Sequence, residues 1–124
     1  MYNYGITPSR SLPGTTDRAK DMATRRKRPL SGPAVAVLRA LAEGATYGFD
    51  VMDATALPSG TVYPVLSRAE ERGHVVSHWE DPETHRRAGR PARKYYRLTS
   101  EGREALEEAL NRFRAMGRAI EEPS

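Results

Sequence analysis

The spacing of glycine and proline between residues 31 and 73 narrows the possible folds more than any other feature. Ser31-Gly32-Pro33 opens a helix with proline in its first turn, and Gly44 closes it. Leu57-Pro58-Ser59-Gly60 breaks the chain again, and Gly73 stops it a third time. Each interval has room for one short helix. The first carries Ala34, Val35, Val37, Leu38, Leu41 and Ala42 as a wide apolar stripe. The second is entered through Ala45-Thr46-Tyr47-Gly48 and has Phe49, Val51 and Met52 as its apolar positions. The third, over 59–72, sets Val62, Val65, Leu66 and Ala69 on one face. Pro64 removes a backbone donor there, which predicts an irregular or slightly opened first turn.

Beyond Gly73 the periodicity changes. Residues 75–80 and 93–98 are rich in β-branched and aromatic side chains and read as two strands, joined by a hairpin loop over 81–92. Thr99 then caps a fourth helix with Glu101 in its first turn. Ala105, Leu106, Ala109, Leu110, Phe113, Met116 and Ile120 recur along it at three- and four-residue steps. The pattern predicts a mainly α protein with a small β-hairpin (α+β), a winged helix-turn-helix with a long C-terminal helix. Residues 1–30 form a basic, disordered arm in this reading, 31–99 the winged helix-turn-helix, and 100–124 a dimerisation helix. Residues 1–21 read as an upstream extension before a start at Met22.

Composition sets the partner class. The 124 residues hold 20 Lys+Arg against 16 Asp+Glu, and no Cys. That excludes a disulfide framework, a Cys-ligated zinc site and a thiol nucleophile. The longest apolar run is the five residues from Ala34 to Leu38, far short of a membrane span, so the expectation is a cytoplasmic protein. The positive charge is concentrated: residues 1–30 carry seven basic against two acidic side chains, and residues 81–97 carry six against two. Residues 31–80 and 98–124 are net acidic. Cations gathered into two segments suit a polyanion, since only the docking face must neutralise phosphates.

The residues themselves resemble the PadR-like family of bacterial transcriptional regulators. The resemblance rests on Tyr47-Gly48-Phe49-Asp50, on the run from Leu57-Pro58-Ser59-Gly60-Thr61-Val62-Tyr63-Pro64 to Val65-Leu66, and on Glu70-Glu71-Arg72-Gly73. It continues through Trp79-Glu80-Asp81-Pro82, Gly89-Arg90-Pro91, Arg93-Lys94-Tyr95-Tyr96-Arg97-Leu98-Thr99 and Glu101-Gly102, covering residues 33 to about 116. His74 departs from the family, which usually places an apolar residue there. The single C-terminal helix marks the short form. The resemblance implies a sequence-specific DNA-binding regulator, acting as a homodimeric repressor on a palindromic operator.

Independent physical reasoning selects DNA-contacting residues. With the apolar face of the third helix turned inward, Ser59, Gly60, Thr61, Tyr63, Ser67 and Arg68 fall on outward or flanking faces, a small polar surface able to approach a major groove. Ser59 and Thr61 could equally be plain helix caps. In the wing, Arg86, Arg87, Arg90, Arg93 and Lys94 bunch around Gly89-Arg90-Pro91, suited to phosphate contact or to arginine insertion into a narrow minor groove. Arg25, Arg26, Lys27 and Arg28 extend the basic footprint into the arm. On the fourth helix, Leu106, Leu110, Phe113, Met116 and Ile120 form a stripe longer than one small domain can cover, so a second copy is the expected cover. Folding back over its own domain is the other arrangement.

Other chemistries find little support. His74, His78 and His85 have no carboxylate or Cys at a matching spacing, so no metal and no cofactor is assigned. Trp79 is expected to pack on its own core, with stacking of a planar ligand as the lesser alternative. No nucleophile, carboxylate pair or phosphate-cradling loop stands in a plausible context, so the chain is not read as an enzyme. A rival reading is an architectural or protein-interaction winged helix with non-specific DNA binding. A small-molecule effector is left open.

Overall fold

The computed structural model of the protein describes residues 28–121. Five helices and one hairpin follow in the order α1 (Gly32–Ala42), α2 (Gly48–Thr55), α3 (Ser59–Glu71), β1 (Val75–Trp79), α4 (Pro82–Ala88), β2 (Lys94–Leu98) and α5 (Ser100–Glu121). The sequence dictates most of the ends. Ser31 caps α1 by accepting a hydrogen bond from the Ala34 amide at 3.2 Å, with Pro33 in the first turn. Gly44 and Gly73 lie at φ +119° and +80°, backbone that L side chains rarely adopt, which is why glycine ends α1 and α3.

The first three helices pack around Val37, Leu38, Val51, Val62 and Leu66, all fully buried, and Val75 of β1 joins them. The inward face of α3 is the expected one: Val62, Val65, Leu66 and Ala69 are its buried residues. The helix runs unbroken through Pro64, contrary to the irregular turn expected there. The missing donor costs little, because the carbonyl it would have served belongs to exposed Gly60.

The strands pair antiparallel, Val75 opposite Leu98 and Trp79 opposite Lys94. A stub of chain before α2 extends this hairpin: Tyr47 bridges Tyr95, and the Tyr96 amide donates to the Thr46 carbonyl at 2.8 Å. Thr99 joins hairpin to α5. Its amide donates to the His74 carbonyl at 3.0 Å, its hydroxyl donates to the Gly73 carbonyl at 2.6 Å, and the same oxygen accepts from the Gly102 amide at 3.0 Å. The α5 helix then lays Leu106 and Ala109 into the core.

Four expectations need correcting. The segment expected as a plain loop contains α4, started by Pro82 and ended by Gly89 at φ +68°. It buries no residue, so no apolar period marks it in the sequence. Phe49 is 63% exposed, because it lies about 200° around α2 from buried Val51 and so faces outward. Trp79 is 64% exposed, standing at the far end of β1 beyond the helical layer. Leu30, expected in the arm, is part of the core. Among the described residues no helix is long and apolar enough to cross a membrane.

Candidate nucleic-acid interface

The outward side of α3 is free of covering elements. Ser59, Gly60, Tyr63, Pro64, Ser67 and Arg68 are exposed and Thr61 is half-buried. Neither Ser59 nor Thr61 caps the helix; the capping position is Pro58, which offers no side-chain bond. Ser59 therefore stays on the exposed surface with half-buried Thr61 beside it, at a helix start where the Thr61 and Val62 amides donate to the Pro58 carbonyl at 2.9 and 3.0 Å. Tyr63 is placed by its neighbour. A Cβ on Gly48 would fall 2.6 Å from Tyr63 Cε1, so the phenol ring lies against the bare backbone at the start of α2. Its ring packs there while 42% of the residue stays exposed.

In the wing, the centre is an acid that the sequence pattern does not single out. Glu80 is buried at the end of β1. Arg90 donates to both of its carboxylate oxygens at 2.7 Å, the Arg93 amide donates at 3.2 Å, and the Tyr95 hydroxyl at 3.3 Å. The bond from Arg90, helped by the Arg93 amide, holds the Glu80 carboxyl down to about 2 against the opposing effect of burial. Arg90 is correspondingly raised, first by its bond to Glu80. This bidentate pair clasps the base of α4 across ten residues of chain. His85 closes the same turn, its Nδ1 3.0 Å from the Arg90 carbonyl oxygen.

The five wing cations therefore differ in availability. Arg86 and Arg87 are the outward ones, with side chains 73% and 80% exposed, both paired to Glu83 on the same helix. Pairs so exposed contribute little to stability. Arg93 lies over the Tyr47 ring, 4.1 Å from its centroid, and Tyr47 meets Tyr95 edge-on at 5.8 Å. Lys94 stands 3.9 Å from Glu70 of α3 and 5.7 Å from the Trp79 ring centre. Arg90 is bound to Glu80 and faces the protein. The hairpin is further tied to α3 by the Ser77 hydroxyl, which donates to Glu70 at 2.6 Å. Glu80, Tyr47 and Tyr95 are the positioning residues that sequence reasoning missed; the one available signal was a lone acid at a strand end facing an arginine-rich return.

The remaining residues fall elsewhere. Arg25, Arg26 and Lys27 lie outside the described residues, whereas Arg28 is within them and its carbonyl accepts from Arg72 at 2.6 Å. On α5, Leu106 is buried in its own domain and Leu110 half-buried, so the stripe left uncovered is Phe113, Met116 and Ile120, at 37%, 52% and 76% exposure. Among the described residues no group of three metal-ligating side chains gathers. His74 is buried, His78 lies near Tyr95 and His85 belongs to the wing.

Comparison with known proteins agrees with this geometry. The model of the PadR-like transcriptional regulator family matches residues 37–108. No curated protein matches the chain. Among solved structures, a PadR family transcription regulator from hypervirulent Clostridium difficile is 24% identical, with a TM-score of 0.65 over 73% of this chain and 96% of that one. Bordetella bronchiseptica BpsR, whose DNA binding is regulated by 6-hydroxynicotinic acid, is 20% identical, with a TM-score of 0.62 over 90% of this chain and 87% of its own. The PcaV transcriptional regulator from Streptomyces coelicolor, solved with its natural ligand, is 25% identical, with a TM-score of 0.62 over 94% and 83%. The family model spans more than half of the sequence and the winged helix agrees with it, so this chain belongs to the PadR-like family of transcriptional regulators, DNA-binding proteins and not enzymes.

Proposed function

We propose that the protein is a homodimeric, sequence-specific repressor that reads a palindromic operator with α3 and grips the flanking backbone with the wing. The observation that carries this reading is the division of α3 into a fully packed apolar face and an uncovered face of small and polar residues. Ser59, Gly60, Thr61, Tyr63, Ser67 and Arg68 supply the base-reading surface, and Arg86 and Arg87, with Arg93 and Lys94 behind them, supply phosphate contacts. Arg90 acts through Glu80, fixing the wing. Arg28 and the cations before it add to the positive field.

The uncovered stripe of α5 supports the dimer. Phe113, Met116 and Ile120 continue from Leu110 along a helix of 22 residues, about 33 Å at the usual rise. Open grooves of about 600 Å³ between α1 and α5, bordered by Arg39, Glu43, Leu110 and Phe113, offer a seat for the partner's helix. Burying the three side chains contributes up to roughly 1.5–3 kcal/mol each before association costs. The cytoplasm is the compartment where such a regulator works.

Competition between promoter DNA and random DNA tests the function. A specific repressor prefers its operator by about a thousandfold or more. Equal competition would instead identify an architectural binder.

A further inference from the structure

The chain's one tryptophan is largely exposed at the far end of β1. Side chains of a strand alternate, so Val75, Ser77 and Trp79 share the face of β1 that turns toward α3. Val75 is buried there, and Ser77 donates to Glu70 of α3. Trp79 continues this row beyond the core, beside the seam between the hairpin and α3. Across the ladder, Tyr96 stands opposite Ser77 and Lys94 opposite Trp79. The Lys94 ammonium lies 3.9 Å from Glu70 Oε1, and 5.7 and 5.8 Å from the ring centres of Trp79 and Tyr96. One cation therefore links the exposed indole to α3. Burial, and then the charges of Glu70 and Tyr63, push the Tyr96 hydroxyl above its ordinary value, so Tyr63 of the proposed DNA-reading face borders the same seam.

We propose that Trp79 is itself a DNA-contacting residue: its indole packs on a deoxyribose of the strand that runs between α3 and the wing, while Lys94 leaves Glu70 for the neighbouring phosphate. Charge selects the occupant. Residues 81–97 carry six basic against two acidic side chains, so the hairpin that presents the indole favours a polyanion over a protein surface or a second copy. A duplex strand also offers what the pair requires, sugar faces and phosphates in alternation. With α3 in a major groove and the wing on the flanking backbone, one sugar–phosphate strand passes along this seam. The Lys94 pair with Glu70 is long and partly exposed, so its loss costs little. The inference rests on the wing's grip on the backbone in the reading above, and not on the choice of operator. A sugar contact is blind to base sequence and releases no counterion, so Trp79 adds affinity without specificity and without salt dependence.

Parallel titrations of the full chain with random-sequence duplex DNA at low salt test the contact, one read by anisotropy of labelled DNA and one by the emission of Trp79, the only indole present. Emission should change with the same midpoint as anisotropy, and acrylamide should lose access to the indole in the complex. Trp79→Ala should weaken binding about tenfold at every salt concentration, with the slope of log affinity against log salt unaltered, and Trp79→Phe should recover most of the loss. Lys94→Gln should instead lower that slope by about 0.9. Circular dichroism of each variant verifies its fold. Bound DNA with unchanged emission and acrylamide access overturns the proposal. So does full affinity in Trp79→Ala, or a salt slope lowered as in Lys94→Gln, which would make the indole a support for the cation only. Emission that follows protein concentration without DNA would assign the indole to a contact between two copies and overturn it too. Because the DNA is random, failure here leaves operator reading by α3 standing, and loss of operator preference leaves this contact standing. Absence of all DNA binding overturns both.

Discussion

Gly102→Ala should destabilise the protein by about 2 kcal/mol, although helix propensity alone argues for a gain. Alanine in place of glycine favours a helix by up to about 1 kcal/mol. At Gly102 the new Cβ would overlap the His74 carbonyl oxygen, and it would lie 2.8 Å from the carbonyl carbon and 2.9 Å from Leu98 Cδ2. Contacts under 3.0 Å require something to move, and here two of the three atoms are backbone. The displaced start of α5 strains the His74 carbonyl bond to the Thr99 amide and the Thr99 hydroxyl bond to Gly73. Overpacking costs about 1–3 kcal/mol and each weakened hydrogen bond about 0.5–1.5, so the loss exceeds the propensity gain. Gly60→Ala is the contrast, because nothing lies within 4 Å of the Cβ it would add to α3. Thermal unfolding at equal protomer concentration should place Gly102→Ala roughly 8–16 °C below wild type and Gly60→Ala level with it or slightly above. A Gly102→Ala protein as stable as wild type would refute the close approach of α5 to the hairpin.

Three further outcomes follow from the wing and from α5. The Glu80 carboxyl is held at about 2, below its unfolded value, so its contribution to stability is complete above the unfolded carboxylate pKa and is lost as pH falls toward about 2; denaturant unfolding across that window should show a shallower acid loss in Glu80→Gln than in wild type. Replacing Arg86 and Arg87 together with alanine should reduce the slope of log affinity against log salt by about 0.9 for each phosphate that is no longer neutralised, read from binding titrations at several salt concentrations. Phe113→Glu should give a helical monomer of 13.8 kDa by light scattering, where wild type gives about twice that mass, and the monomer should bind a palindromic site far more weakly because one half-site is held where two linked ones were.

The helical layer was legible because its signals are local. Ser31, Gly44, Gly73 and Thr99 act within one turn of chain, and the inward face of α3 follows from the helical period of about 3.6. What escaped depends on pairing across distance. Glu80 and Arg90 are ten residues apart, and nothing in a one-dimensional pattern distinguishes an arginine that faces DNA from one that faces a buried carboxylate. Leu106 has the same spacing as Leu110 and Phe113, yet only the packing of α5 on α1 reveals that it belongs to its own core. The α4 helix buries nothing, so only Pro82 and Gly89 mark it, and both also suit a loop. His74 stands out as a departure in the sequence, but its burial beside three arginines exists only once α3 and residues 28–31 are brought together.

Hydrogen exchange of the full chain, measured with and without DNA from its own promoter, tests the central claim most directly. Reading of the operator by α3 and the wing predicts slowed exchange in peptides covering 59–68 and 82–94, and little change in the first half of α5, which packs Leu106 and Ala109 into its own core away from those surfaces. Random DNA at the same concentration and salt should slow the wing peptides more than those of α3, since phosphate contact needs no particular sequence. Protection that spared 59–68 with promoter DNA, or that was equal for promoter and random DNA, would contradict sequence reading by this helix.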